Sequence, residues 1–317
     1  MELVRGLDNY RARFPACVAT IGNFDGVHLG HREMVHAVKR GAARLGLPSV
    51  VLTFEPSPRE YFAQGEAPAR LTRLREKFEA LADLGVDYLV LLRFDARMAG
   101  VSPEAFIDEV LVKGLGVRHV VVGHDFRFAH RRAGSVDSLR AQGRIRNYDV
   151  EEVAPFLVEG ERVSSSLVRA ALAAGNLYRA QRLLGRPYRL TGKVAPGRQL
   201  GRTLGFPTAN LLLHRRVTPF MGVFAVRVTG GGLDSAPGVA NLGTRPVLAQ
   251  PGGQAVEPLL EVHVFDFSGD LYRRCLQVEF VARLRDERWF PGLDELTVQM
   301  REDARQAREV LAVKGES

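Results

Sequence analysis

The first half of the sequence alternates continuously apolar segments with segments of helical spacing, and this alternation constrains the fold more than any other feature. The apolar segments are rich in β-branched residues and predict buried strands at 16–22, 49–54, 87–94, 117–123 and 147–153. The segments between them predict helices at 29–46, 71–84 and 102–115. Apolar strands separated by helices are typical of a parallel sheet covered on both faces. We therefore expect an α/β domain with a Rossmann-like sheet.

The pattern changes near residue 185. Residues 164–184 predict two short helices broken near Gly175, and after Arg186 glycine becomes frequent and helical spacing disappears. Short strands then alternate with turns, in PYRLTGKV, FPTANLLL, GVFAVRV, PLLEVHVFDF and CLQVEFVARL. Their spacing predicts a small β-barrel or sandwich, followed by a C-terminal helix at about 293–313. We expect two domains, 1–185 and 186–317.

Composition narrows the class of function. The net charge is +8, but no block of five or more basic residues occurs, so a basic surface that favours anionic substrates explains the charge better than nucleic-acid binding. Cys17 and Cys275 are the two cysteines of the sequence, and both lie in apolar, strand-like segments. We expect buried thiols in a reducing, cytoplasmic setting. No apolar run reaches the length of a membrane span, and the N-terminal residues show no secretory pattern.

The segment GNFDGVHLGH, residues 22–31, runs from a predicted buried strand into a predicted helix. Ligands of open parallel sheets bind at the carboxyl ends of the strands, and the N-terminus of the next helix suits a phosphate. Glycines in such a segment let the backbone approach a ligand closely. His28 and His31 can both point towards that phosphate and donate hydrogen bonds to it as charge builds up in a transition state. Nothing in the segment suggests a covalent nucleophile.

The H-x-G-H pattern after this strand resembles the nucleotidyltransferase superfamily, whose members transfer a nucleoside monophosphate and release pyrophosphate. Three more segments follow in order: TFEPSPREYF (53–62), VGHDFRFAHRRAGS (122–135) and VSSSLVR (163–169). Together they resemble the adenylyltransferase module of bacterial bifunctional riboflavin kinase/FAD synthetases. The resemblance implies that this half of the chain joins AMP to FMN.

The same resemblance implies roles for individual residues. His28 and His31 would be catalytic, and Asp125 and Phe126 would place the flavin. The nucleotide-binding residues would be Gly22, Phe24, Asp25, Gly26, Gly30, Ser165 and Arg169. The sequence departs from the family pattern at Ser57 (usually His), Ala129 (usually Gly), Ser166 (usually Thr) and Leu167 (usually basic).

A second glycine-rich segment, GKVAPGRQLGRTLGFPTANL (192–211), is not a Walker loop, because it lacks G-x-x-x-x-G-K-[ST]. Gly197, Gly201 and Gly205 can still expose backbone N–H groups to a phosphate. Thr208 and Asn210 alternate along a predicted strand, so both should face one side. Their hydroxyl and amide oxygens suit a hydrated Mg²⁺.

LGFPTAN, GVANLGTRP (238–246), LLEVHVFDFSGDLY (259–272) and RLRDERWF (283–290) together resemble the riboflavin kinase module. The resemblance implies a barrel with Glu261 as the general base that takes the proton of the riboflavin 5′-hydroxyl. It also implies that Arg285 and Phe290, with Trp289 in the same loop, cover the isoalloxazine ring. The nucleotide-binding residues would be Gly192, Lys193, Gly197, Gly205, Thr208 and Asn210. Val247 stands where Thr is usual, and Arg273 stands where Gly is usual.

We interpret the chain as a bifunctional enzyme that phosphorylates riboflavin to FMN and adenylylates FMN to FAD, with ATP as co-substrate and Mg²⁺ as cofactor. Riboflavin, FMN, FAD and ATP would be its small-molecule partners, and no obligate protein partner is implied. Two alternatives stay open: a riboflavin kinase whose adenylylating half is weakened, and a non-catalytic flavin- or nucleotide-binding regulator. Turnover of riboflavin separates the regulator from both enzymes.

Overall fold

The computed structural model describes residues 1–63, 67–196, 204–244 and 258–313. The chain divides into two compact units. The first contains residues 1–68 and 72–164, and the second contains residues 69–71 and 165–317. The short segment 69–71 therefore belongs with the C-terminal unit. The predicted boundary near residue 185 stays a prediction.

The described residues of the first unit form a six-stranded sheet in the order β1-β4-β3-β2-β5-β6, and every neighbouring pair is parallel. The strands are β1 (Glu2–Arg5), β2 (Cys17–Ile21), β3 (Ser49–Glu55), β4 (Tyr88–Arg93), β5 (Val117–Gly123) and β6 (Asp149–Val153). The predicted parallel sheet is confirmed. Strand β1 was not predicted, because Val4 is its single buried residue and the apolar signal is correspondingly weak.

Helices connect these strands. They are α1 (Leu7–Arg11), α2 (Leu29–Leu45), α3 (Pro58–Phe62), α4 (Leu74–Ala82), α5 (Ala96–Ala99), α6 (Pro103–Ala105) and α7 (Val136–Arg146). Helix α6 continues as a π-helix, Phe106–Leu115, and a hairpin of β7 (Leu157–Val158) and β8 (Glu161–Arg162) follows β6. Helix α6 begins where the sequence predicted, because the Ser102 side chain accepts a hydrogen bond from Ala105 N at 3.2 Å and Pro103 takes the first helical position.

The core of the first unit lies on both faces of the sheet. Every residue of β2 is buried. Along β3, Val50 and Leu52 pack in one apolar cluster with Leu111 of the π-helix, whereas Val51 packs in another with Val35 of α2. Burial of such a side chain contributes about 1.5–3 kcal/mol. The two clusters explain why the strands are apolar at successive positions.

The strand order fixes where the sheet can bind a ligand. The chain passes from β2 to β3 and then β4 on one side of β2, and later places β5 and β6 on the other side. The order therefore reverses between β2 and β5. In open α/β sheets the binding crevice lies at the carboxyl ends of the strands at this reversal, which here are Ile21 and Gly123.

The second unit begins with α8 (Ser165–Ala173) and α9 (Leu177–Leu184), the predicted helix pair. Its six described strands close into a barrel in the order β10-β13-β12-β11-β14-β9. They are β9 (Arg189–Ala195), β10 (Ala209–Leu212), β11 (Gly222–Gly230), β12 (Leu233–Thr244), β13 (Pro258–Val264) and β14 (Cys275–Arg285). The closing helix is α10 (Leu293–Val313). Because these strands form a closed ring, the fold is a barrel and not a sandwich.

Side chains alternate between the inside and the outside of the barrel. On β13, Leu260 and Val262 are buried, while Glu261 between them is only partly buried. The interior holds aromatic rings, with the ring centroids of Phe224 and Phe280 5.2 Å apart. Ala225, which points the other way from Phe224, is buried in a cluster with residues of α10. Helix α10 therefore covers part of the outer face.

Segment 69–71 supplies three backbone carbonyls to the second unit. Tyr188 donates its hydroxyl hydrogen to Leu71 O at 2.9 Å, and Arg169 Nε donates to Ala69 O at 2.6 Å. Arg215 Nη1 donates to the carbonyl between them, that of Arg70. These bonds explain why the segment belongs with the barrel.

The two cysteines differ in their burial. Cys17 is buried, but Cys275 is half-buried at the start of β14, so the prediction that both thiols are buried is wrong for Cys275. The strand register puts Cys275 opposite Lys193, an exposed residue of β9. Among the described residues, no helix has the length and apolar character needed to cross a membrane.

Candidate active sites

The loop after β2 is fixed at the reversal of the strand order. Phe24, Gly26 and Val27 have φ angles of 47°, 86° and 43°. The Asp25 carboxylate accepts a hydrogen bond from Thr72 N at 2.9 Å, and Gly26 N donates to Thr72 Oγ1 at 2.9 Å. Phe24 is fully buried. The Phe24 ring and the Asp25 carboxylate thus hold in shape the loop that directly follows the carboxyl end of β2.

The two predicted histidines meet at the start of α2. His28 caps this 17-residue helix, and its Nδ1 accepts a hydrogen bond from His31 N at 3.4 Å. The two imidazole rings stack with centroids 3.7 Å apart and an interplanar angle of 15°. A Cβ at Gly30 would lie 3.3 Å from the His28 ring, which favours glycine there. Similarly, a Cβ at Gly22 would lie 3.1 Å from the Phe24 ring. Paired imidazoles at a helix N-terminus suit an anionic phosphate.

The loop after β5 carries the predicted flavin-binding residues. Asp125 Oδ1 pairs with Arg162 Nη2 at 2.7 Å, and this hydrogen bond holds the pKa of Asp125 below its usual value. Phe126 stacks on Phe128, with ring centroids 5.7 Å apart and an interplanar angle of 15°. Strand β5 adjoins β2 at the reversal, so both predicted groups follow strands that end at the same crevice.

Of the departures from the family pattern, Ser57 has a local structural role and Ala129 has a strained backbone. Ser57 caps α3: its hydroxyl accepts from Glu60 N at 3.3 Å, and Glu60 Oε2 accepts from Ser57 N at 2.9 Å. This reciprocal capping box was present in the sequence as S-x-x-E but was not recognised. Ala129 has φ 63° and ψ −169°, a conformation that is natural for glycine and strained for alanine.

An aromatic cluster near the carboxyl ends of β3 and β4 was also missed. Tyr61 and Phe62 lie 5.3 Å and 5.8 Å from the Phe94 ring, measured between centroids, in edge-to-face geometry. Phe62 is 62% exposed, and an exposed aromatic cluster of this kind can mark a binding surface. The signal in the sequence was the aromatic pair that ends TFEPSPREYF.

Ser165 and Arg169 lie on α8 in the second unit. Ser165 is the first residue of the helix, and Arg169 follows one turn later. Both are partly buried. Their predicted part in phosphate binding stays a prediction.

The outer face of the barrel and α10 enclose a cavity of about 260 Å³, here called the helix-side cavity. Its lining includes four of the predicted residues, namely Thr208, Glu261, Arg285 and Phe290. Thr208 directly precedes β10, Glu261 lies on β13, Arg285 ends β14, and Phe290 lies between β14 and α10. Trp289, the neighbour of Phe290, is 84% exposed and does not line the cavity.

Glu261 lies in a row of polar residues across three strands. It is directly opposite Asn210 of β10 on one side and Asn241 of β12 on the other. Residues directly opposite in antiparallel strands point to the same face of the sheet, so the three side chains share the outer face. Asn210 is 6% exposed. Asn241 was not predicted, although GVANLGTRP contained it.

A second cavity, of about 480 Å³, is here called the barrel-end cavity. Interior residues of the barrel such as Val194 and Val262 line it, together with Leu271 and Tyr272 of the segment between β13 and β14. Thr208 lines this cavity as well as the helix-side cavity. One threonine therefore bounds both cavities.

The glycine-rich segment before β10 is only partly described. Gly192 lies within β9, where a Cβ would come 2.9 Å from Leu211 Cβ. Close packing between the strands therefore explains why glycine occupies this position. Lys193 is exposed, and Gly205 has φ 82°. Gly197, Gly201 and Val247 lie outside the described residues. Arg273, which replaces a usual glycine, has φ 62°.

The predicted Mg²⁺ ligands carry the donor atoms that this ion prefers. Thr208 offers a hydroxyl at the boundary of both cavities, and Asn210 offers an amide oxygen beside Glu261. Within the described ranges, no group of three or more His, Cys, Asp or Glu side chains could hold a metal ion. A hydrated Mg²⁺ bound partly by nucleotide phosphates needs no such group, so the residues fit it.

Known proteins resemble both halves of the chain. The family model for FAD synthetase matches residues 11–167, and that for riboflavin kinase matches residues 184–311. The bifunctional riboflavin kinase/FMN adenylyltransferase of Escherichia coli (strain K12) is 46% identical over 310 residues, which cover 98% of this chain and 97% of the relative. The enzyme of the same name from Haemophilus influenzae is 43% identical over 308 residues, with 97% and 98% coverage.

A solved structure shares the fold over nearly the whole chain. It is a crystal structure of a protein described as a macrolide-efflux protein from Streptococcus pneumoniae, with a TM-score of 0.82 and 28% identity. The match covers 97% of this chain and 99% of that one. Because two family models match successive parts of the sequence and curated relatives match along its length, the chain belongs to the bifunctional riboflavin kinase/FMN adenylyltransferase family.

Proposed function

We propose that the two activities of the family are divided between the two halves of this chain. The barrel half, residues 186–317, phosphorylates riboflavin to FMN, and the α/β half, residues 1–185, adenylylates FMN to FAD. The successive family matches at 184–311 and 11–167 support this division. A nucleotide is the co-substrate of both steps, and we propose that it is ATP.

In the kinase step, riboflavin occupies the helix-side cavity and ATP occupies the barrel-end cavity. The observation that carries this proposal is that Thr208 bounds both cavities, because a phosphoryl group must pass between its donor and acceptor at such a boundary. Glu261 accepts the proton of the 5′-hydroxyl as that oxygen attacks the γ-phosphorus. The bond between the γ-phosphorus and the β-bridging oxygen breaks, and ADP leaves. Arg285 and Phe290 contact the isoalloxazine ring.

Mg²⁺ supplies charge neutralisation at the phosphate oxygens when it is bound. Thr208 and Asn210 would hold it, since their oxygens are hard ligands next to the proposed base. Asn210 lies directly opposite Glu261 in the strand register. Asn210 would therefore hold the ion on the same face of the barrel as the proposed base.

In the adenylylation step, an oxygen of the FMN phosphate attacks the α-phosphorus of ATP, and pyrophosphate leaves. His28 and His31 donate hydrogen bonds to the phosphate oxygens as charge develops there. Their stacked geometry at the N-terminus of α2 supports this role. Asp125, Phe126 and the exposed Phe62 contact the flavin. For Ser165 and Arg169, triphosphate binding remains an expectation from the family resemblance.

We also propose a cytoplasmic location, which the two free thiols of Cys17 and Cys275 support. The alternative of a weakened adenylylating half depended on Ser57. Its hydroxyl has a clear local role as the cap of α3, and the histidine pair is intact. Nothing in the comparisons favours a regulator without catalysis.

The test is a time course with riboflavin and Mg-ATP in which the flavins are separated. We expect FMN first and FAD second. His31→Ala should stop at FMN, and Glu261→Ala should make FAD only when FMN is supplied. His36→Ala is the matched control, since His36 lies on the same helix and its exposed side chain pairs with Glu33. Normal riboflavin phosphorylation by Glu261→Ala would refute the assignment of the base.

A further inference from the structure

A buried carboxylate that no proposed step uses lies at the wall of the helix-side cavity. Asp303, on α10, is 4% exposed and lines the cavity. Its Oδ1 accepts from Arg285 Nε at 2.9 Å, and its Oδ2 accepts from Arg285 Nη2 at 2.7 Å. Gln299 Nε2 donates to the same Oδ1 at 2.7 Å. A buried aspartate normally needs such partners, and Arg285 supplies two of these three hydrogen bonds.

The bonds of Asp303 extend into a network that fixes the loop between β14 and α10. Arg285 Nη1 donates to Asp286 O at 2.8 Å, so each of its three nitrogens is bonded within the protein. Arg288 Nη2 donates to Gln299 Oε1. The guanidinium carbons of Arg285 and Arg288 lie 5.7 Å and 4.8 Å from the centroid of the Phe290 ring. Two residues one helical turn apart on α10 thus hold both arginines around one ring.

We propose that Asp303 is a positioning residue for riboflavin phosphorylation and that it acts through Arg285. The bidentate pair fixes the plane of the guanidinium group, because two parallel hydrogen bonds leave it no freedom to rotate. That plane and the Phe290 ring form a preorganised wall for an aromatic ring with carbonyl oxygens. Asp303 itself need not contact the flavin. The inference rests on the proposed role of Arg285 in flavin binding.

The first experiment replaces Asp303 by asparagine in the full chain. Asp303→Asn keeps the shape but removes the charge, so we expect the KM for riboflavin to rise roughly tenfold, within the range for coupled residues. The kcat at saturating riboflavin, the KM for ATP and AMP transfer to supplied FMN should stay within about twofold of the parent. Glu302→Gln is the matched control, since Glu302 is the preceding residue and pairs on the exposed side with Arg305.

A double-mutant cycle with Arg285→Gln separates positioning from a merely structural role. If Asp303 acts through Arg285, Asp303→Asn should add no further change in KM for riboflavin to the Arg285→Gln variant. If the two changes multiply, or if Arg285→Gln raises the KM while Asp303→Asn does not, the inference is wrong. If Arg285→Gln leaves the KM unchanged, the proposed flavin contact of Arg285 fails instead.

Two further measurements guard against a variant that does not fold. Gln299→Leu removes the hydrogen bond donated to Asp303 and the one accepted from Arg288 but keeps the carboxylate, and we expect it to raise the KM for riboflavin about two- to threefold. If Asp303→Asn does not fold, Gln299→Leu carries the test. An unchanged KM for riboflavin in a stably folded Gln299→Leu variant would then contradict the network. Trp289 is the one tryptophan of the sequence and belongs to the loop. Quenching of its fluorescence by riboflavin therefore gives the affinity without turnover, and thermal unfolding of each variant reports its stability.

Discussion

Ala129 and Arg273 are among the described non-glycine residues whose backbone takes a conformation that suits glycine. Ala129 has φ 63° and Arg273 has φ 62°, and both stand where the family pattern usually has glycine. Both residues therefore take a conformation that glycine adopts easily and that is costly for a residue with a Cβ. Around Ala129, Phe128 and Gly134 pair through two backbone hydrogen bonds of 3.2 Å and 3.0 Å, which hold the loop closed.

Ala129→Gly should stabilise the first unit. Relief of strain contributes about 1–3 kcal/mol, and the greater freedom of glycine in the unfolded chain offsets about 0.4–1 kcal/mol of it. We expect a net gain of about 1 kcal/mol, measured by urea unfolding of the full chain. Ala133→Gly is the control: Ala133 is exposed in the same loop at φ −69°, so this change should destabilise. Equal effects of the two substitutions would show that Ala129 is not strained.

The sequence was most informative about residues whose partners are close in the chain. His28 and His31 meet because both belong to one helix start, and Ser57 meets Glu60 for the same reason. The partner of Arg285 could not be predicted in this way. Asp303 is brought to Arg285 only by the docking of α10 on the barrel. Its spacing from Met300 and Ala307 puts Asp303 on the apolar stripe of that helix, but the spacing does not say which cation it meets.

At the scale of elements, helices and buried strands with continuous apolar patterns were predicted closely, and weak patterns were missed. Strand β12 contains Pro237 and two glycines, so its sequence lacks the regular alternation that predicts a strand. It pairs with β11 and β13, so without it the barrel cannot close. Closure is a property of all six described strands together, which is why sequence spacing alone left barrel and sandwich open.

Substitution of Gly192 tests whether this glycine serves strand packing or nucleotide binding. Gly192→Ala would place a Cβ 2.9 Å from Leu211 Cβ, so β9 and β10 must move apart. We expect a loss of about 1–3 kcal/mol in the stability of the barrel, as for other overpacked cores. Thermal unfolding and the KM for ATP should be measured together. A raised KM for ATP in a barrel of unchanged stability would favour the nucleotide-binding role instead.

The whole molecule divides differently from the two family matches. The riboflavin kinase match begins at residue 184, but α8 and α9 belong to the compact unit that contains the barrel. Leu183 and Leu184 of α9 are each 1% exposed. The hydroxyl of Tyr188 is bonded to a carbonyl of segment 69–71 in the same unit. The barrel strands therefore do not account for the whole folded unit.

Fragments should unfold in an order that follows these contacts. A 186–317 fragment loses the apolar side chains of α9 and should melt lowest. A 165–317 fragment keeps α9 but leaves the Tyr188 hydroxyl without its acceptor, the carbonyl of Leu71. An unsatisfied buried polar group costs about 1–3 kcal/mol. We therefore expect the 165–317 fragment to melt above the 186–317 fragment and below the barrel in the full chain. Calorimetry of the three proteins gives the order. If 186–317 is as stable as 165–317, α8 and α9 contribute nothing to the barrel.

The position of Thr208 at the boundary of both barrel cavities has a consequence for inhibitor design. A compound that joins a flavin-like ring to a nucleoside-like group through a short linker could place one group in each cavity, with the linker passing this threonine. Once the first group is bound, the second meets its cavity at a local concentration in the millimolar range, about that of short flexible linkers. Replacing the small threonine side chain with a larger one would narrow the passage and weaken the linked compound more than either part alone.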